Sequence, residues 1–361
     1  RHSTWEPTTE PYATTIYGEA GSYNYAAAYA YCQQYYDMAR LLESDPIDDM
    51  TLQNCDVLVI KTPTARYTLD EVDAVVRFVQ RGGSLLLIGD HTNVFNMNTY
   101  LNDMARHFGF TFRNDLLFCS GDPYKQRFDP PRLSHPILQH VPSMHFAVSC
   151  SIDPSSSWGT MVIRNTGLWN LPPAYQESNY HPQAEYRTPM QYGAWCQLWA
   201  TSYGSGRVLG FADSTLFSNF CIFQPGKAEL LIGMLEWLNH TSVYDRIGWQ
   251  WGLVVLVAIT GLCLIAAGWY FGWRHGLSWP IFAGALFFGG SVVALAIHRM
   301  HQATMPQPTN HDPLPHVVID RTWSEVPLFT GAFSDDEERI GYGMLEQWIP
   351  RIGNAISRRT G

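Results

Sequence analysis

Short apolar runs alternate with amphipathic stretches along the first part of the chain, and the alternation predicts most of its elements. Cys55-Asp-Val-Leu-Val-Ile60 and Ser84-Leu-Leu-Leu-Ile88 are the continuous apolar runs of strands buried on both faces. Between them, Thr68-x-x-Glu71 is a capping box. It opens a helix that carries Val72, Val75, Val76, Phe78 and Val79, and Gly82-Gly83 ends it. Upstream, the Ala- and Tyr-rich stretch Tyr23 to Leu42 reads as a helix packed against a sheet. Downstream, the polar turn Gly89-Asp90-His91-Thr92-Asn93 leads into a helix near Met97–Phe108. This βαβα order predicts a doubly wound, mostly parallel α/β sheet of the flavodoxin or amidotransferase kind.

Beyond residue 110 the pattern is weaker. Phe110–Phe112, Leu116–Phe118, Phe146–Ser149 and Met161–Ile163 suggest short strands, and residues 165–192 read as a long surface excursion. Arg207-Val-Leu-Gly-Phe211 is a further strand, and Ala228–Asn239 an amphipathic helix.

Two long apolar runs follow. Ile247 to Trp273 and Gly276 to Ile297 contain no Asp, Glu, Lys, Arg or His. At about 1.5 Å per residue each is long enough for a ~30 Å bilayer core. With Arg274-His275 as the only connection, they predict a two-helix transmembrane hairpin. The organisation expected is a head over 1–246, spans over 247–273 and 276–297, and a tail over 298–361 on the head's side. Arg274 favours a cytoplasmic loop and an external head, while Arg246 and Arg299 pull the other way. The tail holds a Pro-rich linker (Met305–Pro315), a strand (Val317–Asp320) and a helix (Glu337–Ile352). Glu19-Ala-Gly-Ser-Tyr23 and Glu338-Arg-Ile-Gly-Tyr342 share a Glu-x-x-x-Tyr pattern, as if the tail began a second copy of the head's first strand–helix element.

Composition narrows the function classes. Charged residues make up 15% of the 361, against about 25% in ordinary domains. The formal net charge is −9, so there is no basic field to hold a phosphate backbone, and nucleic acid is not expected as a partner. The seven cysteines show no CxxC or Cys/His spacing for zinc, and no metal or other cofactor is expected. Buried free thiols and one or two disulfides are both open readings.

Tyr17-Gly-Glu-Ala-Gly-Ser-Tyr-Asn-Tyr25, Asp56–Ile60, Gly82 to Asn93 and Gly210-Phe-Ala-Asp-Ser-Thr-Leu-Phe-Ser-Asn219 resemble bacterial membrane-associated proteins with a class I glutamine-amidotransferase-like domain, of the DUF4350-like branch. The resemblance covers about 15–240 and implies a bacterial inner-membrane, two-pass protein with a periplasmic head. It also marks a departure. The family's Gly-x-Cys-x-Gly elbow corresponds to Gly89–Asn93, with His91 at the nucleophile's place and Asn93 at the second Gly. Without that Cys, glutaminase chemistry is not expected.

The candidate chemistry gathers at predicted strand ends. Asp90 and His91 with Asp213 form a possible catalytic set, His as base and Asp as its orienter. Glu19, Thr92, Asn93, Ser214 and Asn219 are candidate ligand-binding residues around them. The competing reading is helix capping by Asp90 and Asp213, with Thr92 and Ser214 satisfying backbone N–H groups. His135, His140 and His145 read as loop histidines, and Ser149-Cys150-Ser151 lacks the glycines of a nucleophile elbow. Two aromatic-rich, charge-poor segments, Tyr17–Tyr36 and Trp158–Trp199, suit either a core or a contact surface. The function expected is a non-catalytic binding or scaffold subunit, partnered by other integral membrane subunits and the lipid bilayer. The alternative is a membrane-anchored hydrolase or carbohydrate-processing accessory using Asp90, His91 and Asp213.

Overall fold

The capping box forms as its spacing predicts. Thr68 Oγ1 accepts from the Glu71 N–H at 3.3 Å, and Glu71 Oε2 accepts from the Thr68 N–H at 2.9 Å. This starts the helix Leu69–Gln80, and Gly82 leaves it at φ +118°, a conformation that L side chains rarely adopt. The computed structural model describes residues 24–41, 45–119, 126–131, 134–156, 158–171, 190–219, 221–222, 224–239, scattered positions between 252 and 296, and 309, 315–320, 322, 349 and 355–359. In chain order the principal elements begin with α1 (Ala26–Cys32), β1 (Val57–Lys61), α2 (Leu69–Gln80), β2 (Ser84–Ile88), α3 (Met97–Ala105), β3 (Phe110–Phe112) and β4 (Leu116–Cys119). They continue with β5 (Gln126–Phe128), β6 (Met144–Phe146), β7 (Ile152–Pro154), β8 (Thr160–Leu171), β9 (Gln191–Tyr203), β10 (Gly206–Phe211), α4 (Lys227–Leu238), β11 (His316–Asp320) and β12 (Ala355–Arg359).

The centre of the main sheet is parallel. β1 and β10 flank β2, both parallel to it. Leu85, Leu86, Leu87 and Ile88 are all fully buried, as a strand covered on both faces requires. Alternate side chains point to opposite faces. Leu85 and Leu87 join Val72, Val75, Phe78 and Val79 of α2 in one core cluster with Leu58, Ile60 and Val208. α4 packs against β2 and β10 as well. Burying side chains of this size stabilises by roughly 2 kcal/mol apiece relative to exposure.

From β10 outward the sheet turns antiparallel. The eight strands run β1-β2-β10-β9-β7-β3, with β8 on β9 and β4 on β8. β9 and β8 are 13 and 12 residues long, and their pairing shifts register at three places between Met161 and Leu168. The doubly wound, mostly parallel sheet expected from the sequence is therefore corrected to a mixed sheet: three strands are parallel, and the additional pairings are antiparallel. The reason is compositional. Met161–Ile163 is a strand as expected, but β8 continues to Leu171 and β9 begins at Gln191, both within the stretch 165–192 that reads as a surface excursion because its Asn, Thr, Gln, Gly and Tyr positions carry no apolar run. Smaller differences concern ends: α1 stops at Cys32 rather than Leu42, and β6 precedes Ala147 rather than spanning to Ser149.

The chain divides into two compact units, Arg1–Asn239 with Pro308–Gly361, and His240–Gln307. In the tail, β11 pairs in parallel with β12, a strand the sequence did not suggest. The helix expected over Glu337–Ile352, and the Glu19–Tyr23 and Glu338–Tyr342 patterns, lie outside the described residues apart from Tyr23's neighbour Asn24 and Ile349. No helix among the described residues is long and apolar enough to cross a membrane. The two-helix transmembrane hairpin, and with it the inner-membrane, two-pass placement with a periplasmic head, is corrected on that finding.

The capping box gives a direct test of the first long helix. Thr68→Ala should lower stability by about 1 kcal/mol in urea unfolding, and Thr68→Ser should restore most of it. Equal midpoints for all three chains would remove the cap from the account of α2.

Candidate functional site

Because β1, β2 and β10 are parallel, their carboxyl ends share one edge of the sheet. Thr62, the turn Gly89–Asn93 and Ala212-Asp213-Ser214 emerge there, where ligand sites of such sheets form. Gly89 is required by crowding: a Cβ would lie 2.7 Å from Phe112 Cδ1 and 2.8 Å from Asn98 Oδ1. The turn that follows is unusual. Thr92 (φ 48°), Asn93 (φ 52°), Phe95 (φ 50°) and Asn96 (φ 63°) are all left-handed without being glycine. Such residues cost on the order of 1 kcal/mol each and persist only where their surroundings hold them.

The restraints are visible. Asn98 Oδ1 accepts from the Asp90 N–H at 3.0 Å, and its Nδ2 donates to the carbonyls of Asp90 and Arg113 at 2.7 and 2.9 Å. The Thr92 N–H donates to the Asp115 carbonyl at 2.9 Å. Asn93 is clamped to Thr99 through both its amide atoms, at 3.0 and 2.9 Å. Asp90 sits at the junction of the two strand ends. Its Oδ1 accepts from the His91 N–H at 2.7 Å, and its Oδ2 accepts from Ser214 Oγ at 2.7 Å across 124 residues of sequence. The His91 ring lies with Nε2 3.8 Å from Asp90 Oδ1 and Nδ1 2.9 Å from Thr92 Oγ1.

Asp213 is engaged differently. Oδ2 accepts from the Ala147 N–H at 2.9 Å and Oδ1 from the Leu216 N–H at 3.1 Å, so it ties the β6–β7 connection to the turn after β10. Complete burial pushes its carboxyl up to about 7, against the charge of Lys227 and the N–H groups of Ala147, Leu216 and Val148. Asn219 docks α1: its Oδ1 accepts from the Ala27 N–H at 2.8 Å and its N–H donates to the Asn24 carbonyl at 2.9 Å. Tyr25 of the same segment donates its hydroxyl to the Ser214 carbonyl, and Lys61 lies 4.2 Å from its ring centre.

The structure thus brings Asp90, His91, Thr92 and Ser214 into one hydrogen-bonded group and leaves Asp213 and Asn219 serving neighbouring backbone. Glu19 lies outside the described residues. Asp90, His91 and Asp213 are 6%, 4% and 0% exposed, so the catalytic set is closed to solvent. The capping reading holds for Asp90, which caps the turn at His91, and for the Asp213–Leu216 bond. Ser214 serves the Asp90 carboxylate rather than a backbone N–H.

Several participants carried no signal in sequence. Asp115 accepts from the Ser151 N–H at 2.8 Å and hydroxyl at 2.6 Å, and burial raises its carboxyl too. Cys150 is buried next to it, its thiol pushed well up by burial and by the nearby carboxylates of Asp115 and Asp90, so it is no thiolate nucleophile. All seven cysteines are free, which decides between the two readings left open. Asp115 also lines a cavity of about 460 Å³, together with Asn102, Arg106, Arg113, Asn114 and Asn170 among others. No set of three or more His, Cys, Asp or Glu residues that could hold a metal occurs among the described residues. His135 accepts from the Ile137 N–H at 3.3 Å and packs its ring 5.4 Å from that of Trp237, while His140 pairs with Gln139 at 2.8 Å.

Comparison with known proteins points elsewhere than the sequence resemblance did. The family model of the IFT52 GIFT domain matches residues 34–130, which contain β1, α2, β2 and α3. No curated protein matches. Among solved structures the chain is similar to the mmIFT52 N-terminal domain, at 12% identity and TM-score 0.43, covering 54% of this chain and 82% of that one. It is similar to a ThuA-like protein from Parabacteroides merdae ATCC 43184, at 11% identity and TM-score 0.36, covering 61% and 86%. A ThuA-like protein from Bacteroides uniformis ATCC 8492 shows 13% identity and TM-score 0.33, over 56% and 75%. The amidotransferase-like, DUF4350-like assignment is corrected on the family-model match. The motifs behind it, a buried strand, Gly-Gly and a polar turn, are what any parallel βαβ unit needs and do not identify a family.

The elevated Asp213 carboxyl has a consequence for stability. The unfolded chain gives up this proton near pH 4 and the folded chain only near 7, so the folded state binds more protons between them. Stability from this group therefore falls as pH rises through that window, by about 1.4 kcal/mol per unit at most. Asp213→Asn, always neutral, should be less stable than the parent at pH 4.5, since its amide cannot accept from both sides. The gap should narrow as pH approaches 7.5. Urea midpoints at four pH values test this, and a gap independent of pH would show that Asp213 does not titrate in the window.

Proposed function

We propose that the chain is a non-catalytic scaffold subunit of a protein complex, with the body around the mixed sheet as its interaction module. The observation that carries this reading is the closure of the sheet's carboxyl edge. A parallel sheet ordinarily offers a crevice there. Here Asp90, His91, Thr92 and Ser214 bond to one another, and Asp213 and Asn219 are spent on backbone N–H groups, all of them buried. We assign these residues, with Asn93, a positioning role: they hold a strained turn and dock α1. The hydrolase alternative needs the three side chains open to substrate, and at 6%, 4% and 0% exposure nothing favours it. The match of residues 34–130 to the IFT52 GIFT domain is in keeping with an interaction module.

The surface offers a contact point. Trp158 is 91% exposed and Met161, at the start of β8, 46%. Aromatic side chains and Met are the residue types enriched at protein interfaces, and a Trp held almost wholly in water is otherwise hard to explain. The partner implied is a protein surface with an apolar pocket.

Native mass spectrometry of the gently purified full chain tests the proposal. A stoichiometric protein partner is expected with the parent chain and lost on Trp158→Ser with Met161→Ser, while Tm stays within about 2 °C because neither side chain is packed in the core. A chain that runs alone at its own mass from its native source would overturn it.

A further inference from the structure

Lys227 is the least expected side chain in the core. It opens α4 and is 1% exposed. A buried ammonium ordinarily requires a carboxylate in bonding distance. Instead its Nζ lies 2.7 Å from Sγ of Cys221, itself fully buried six residues upstream. Lys227 Nζ donates a hydrogen bond to that sulfur. The charge of Asp213 raises the Cys221 thiol further, and the charge of Lys227 lowers the Asp213 carboxyl. Burial raises the Cys221 thiol, partly offset by Lys227, so the pair is not a simple thiolate–ammonium contact. What the fold has built is an amine and a thiol pressed together, away from water, with nothing between them.

We propose that Cys221 and Lys227 are a redox modification site that closes into a sulfur–oxygen–nitrogen bridge when a peroxide supplies the oxidant. In the first step the Cys221 thiol passes its proton to the neutral Lys227 Nζ at 2.7 Å, a base that Cys150 lacks, and the thiolate attacks hydrogen peroxide; the O–O bond breaks, a sulfenic acid forms, and the proton returned from Nζ leaves with the second oxygen as water. In the second the neutral Nζ, a second peroxide and the sulfenic acid react. An N–H and the sulfenic O–H bond break, an O–N bond forms, and the peroxide departs as two waters. One thiol, one amine and two peroxides thus give one bridge and three waters, with four electrons passing to peroxide. A dithiol reductant reverses it, with two dithiols oxidised to disulfides and one water released. The contact itself selects this outcome, because the nitrogen is already placed against the sulfur that would otherwise proceed to sulfinic acid. The bridge would pin the first turn of α4 to the Cys221–Ile222 turn and abolish the basic charge that faces Asp213.

Peptide mapping of the full chain reads the site directly. After peroxide, denaturation, alkylation and trypsin, the expected product spans 208–246 uncut at Lys227. It carries about +14 Da, one oxygen gained and two hydrogens lost, with no alkyl group on Cys221. Dithiothreitol before alkylation should restore cleavage at Lys227 and alkylation of Cys221. In Lys227→Gln the +14 Da species should disappear and Cys221 should be found as sulfinic or sulfonic acid. The proposal is overturned if the parent chain shows an alkylated Cys221 with Lys227 cut, a sulfinic or sulfonic acid there, or a disulfide from Cys221 to another cysteine. It is equally overturned if the +14 Da species persists in Lys227→Gln.

Discussion

One carboxylate joins the two strand ends on which the rest of this edge depends. Asp90 lies where β2 hands over to the turn, and its two oxygens are divided between the backbone of His91 and the hydroxyl of Ser214 after β10. In a burial of this depth an ionised or hydrogen-bonding group left unmatched costs several kcal/mol, so each partner is constrained by the others. The constraint spreads outward. Asn98, at the second residue of α3, fixes the backbone on both sides of the turn, and the Asp115 carbonyl holds the Thr92 N–H. The left-handed residues Thr92, Asn93, Phe95 and Asn96 are held by this set of bonds and would not take up that conformation together in a short peptide.

The same bonds explain why a parallel unit and an antiparallel extension share one sheet. β10 is the hinge element: parallel to β2 on one side, antiparallel to β9 on the other. Asp213, just beyond it, takes N–H groups from Ala147 and Leu216, and Cys150 donates its backbone N–H to the Ala212 carbonyl. The chain segment from β6 to β7 is thereby fastened to the end of a parallel strand. Glycine keeps the opposite end of β10 close to α2, since a Cβ at Gly206 would meet the Gly83 carbonyl oxygen at 2.0 Å.

How much of this the sequence carried follows from the range of the interactions. β1, α2, β2 and α3 were legible because their signals are local: an apolar run, a capping box, Gly-Gly, a polar turn. Of β8 only Met161–Ile163 was legible, and β9 was not, because long strands with Thr, Asn, Gln and Tyr declare themselves only through their partners. The site divides the same way. Asp90, His91 and Ser214 were placed together from strand ends, and the structure joins them. Their burial could not be read, since it is produced by α1, Asn98 and Asp115, which arrive from elsewhere in the chain. Lys227 gave no sign at all, for a single lysine at a helix start reads as solvated.

Asp213 and Lys227 together show why closure need not mean inertness. Each is buried, and the charge of Lys227 favours the ionised form of Asp213 while burial opposes it. Charges interact more strongly where water is excluded, so the Asp213 carboxylate is sensitive to the amine of Lys227. Asp213 holds the β6–β7 connection through its acceptors, and those bonds are strongest when it is ionised. A cation at Lys227 favours that state, and anything that neutralises the amine works against it. Among the described residues the edge of this sheet is therefore filled by its own hydrogen bonds, and the carboxylate that fastens the β6–β7 connection to the end of β10 is also the one whose ionisation the Lys227 charge favours.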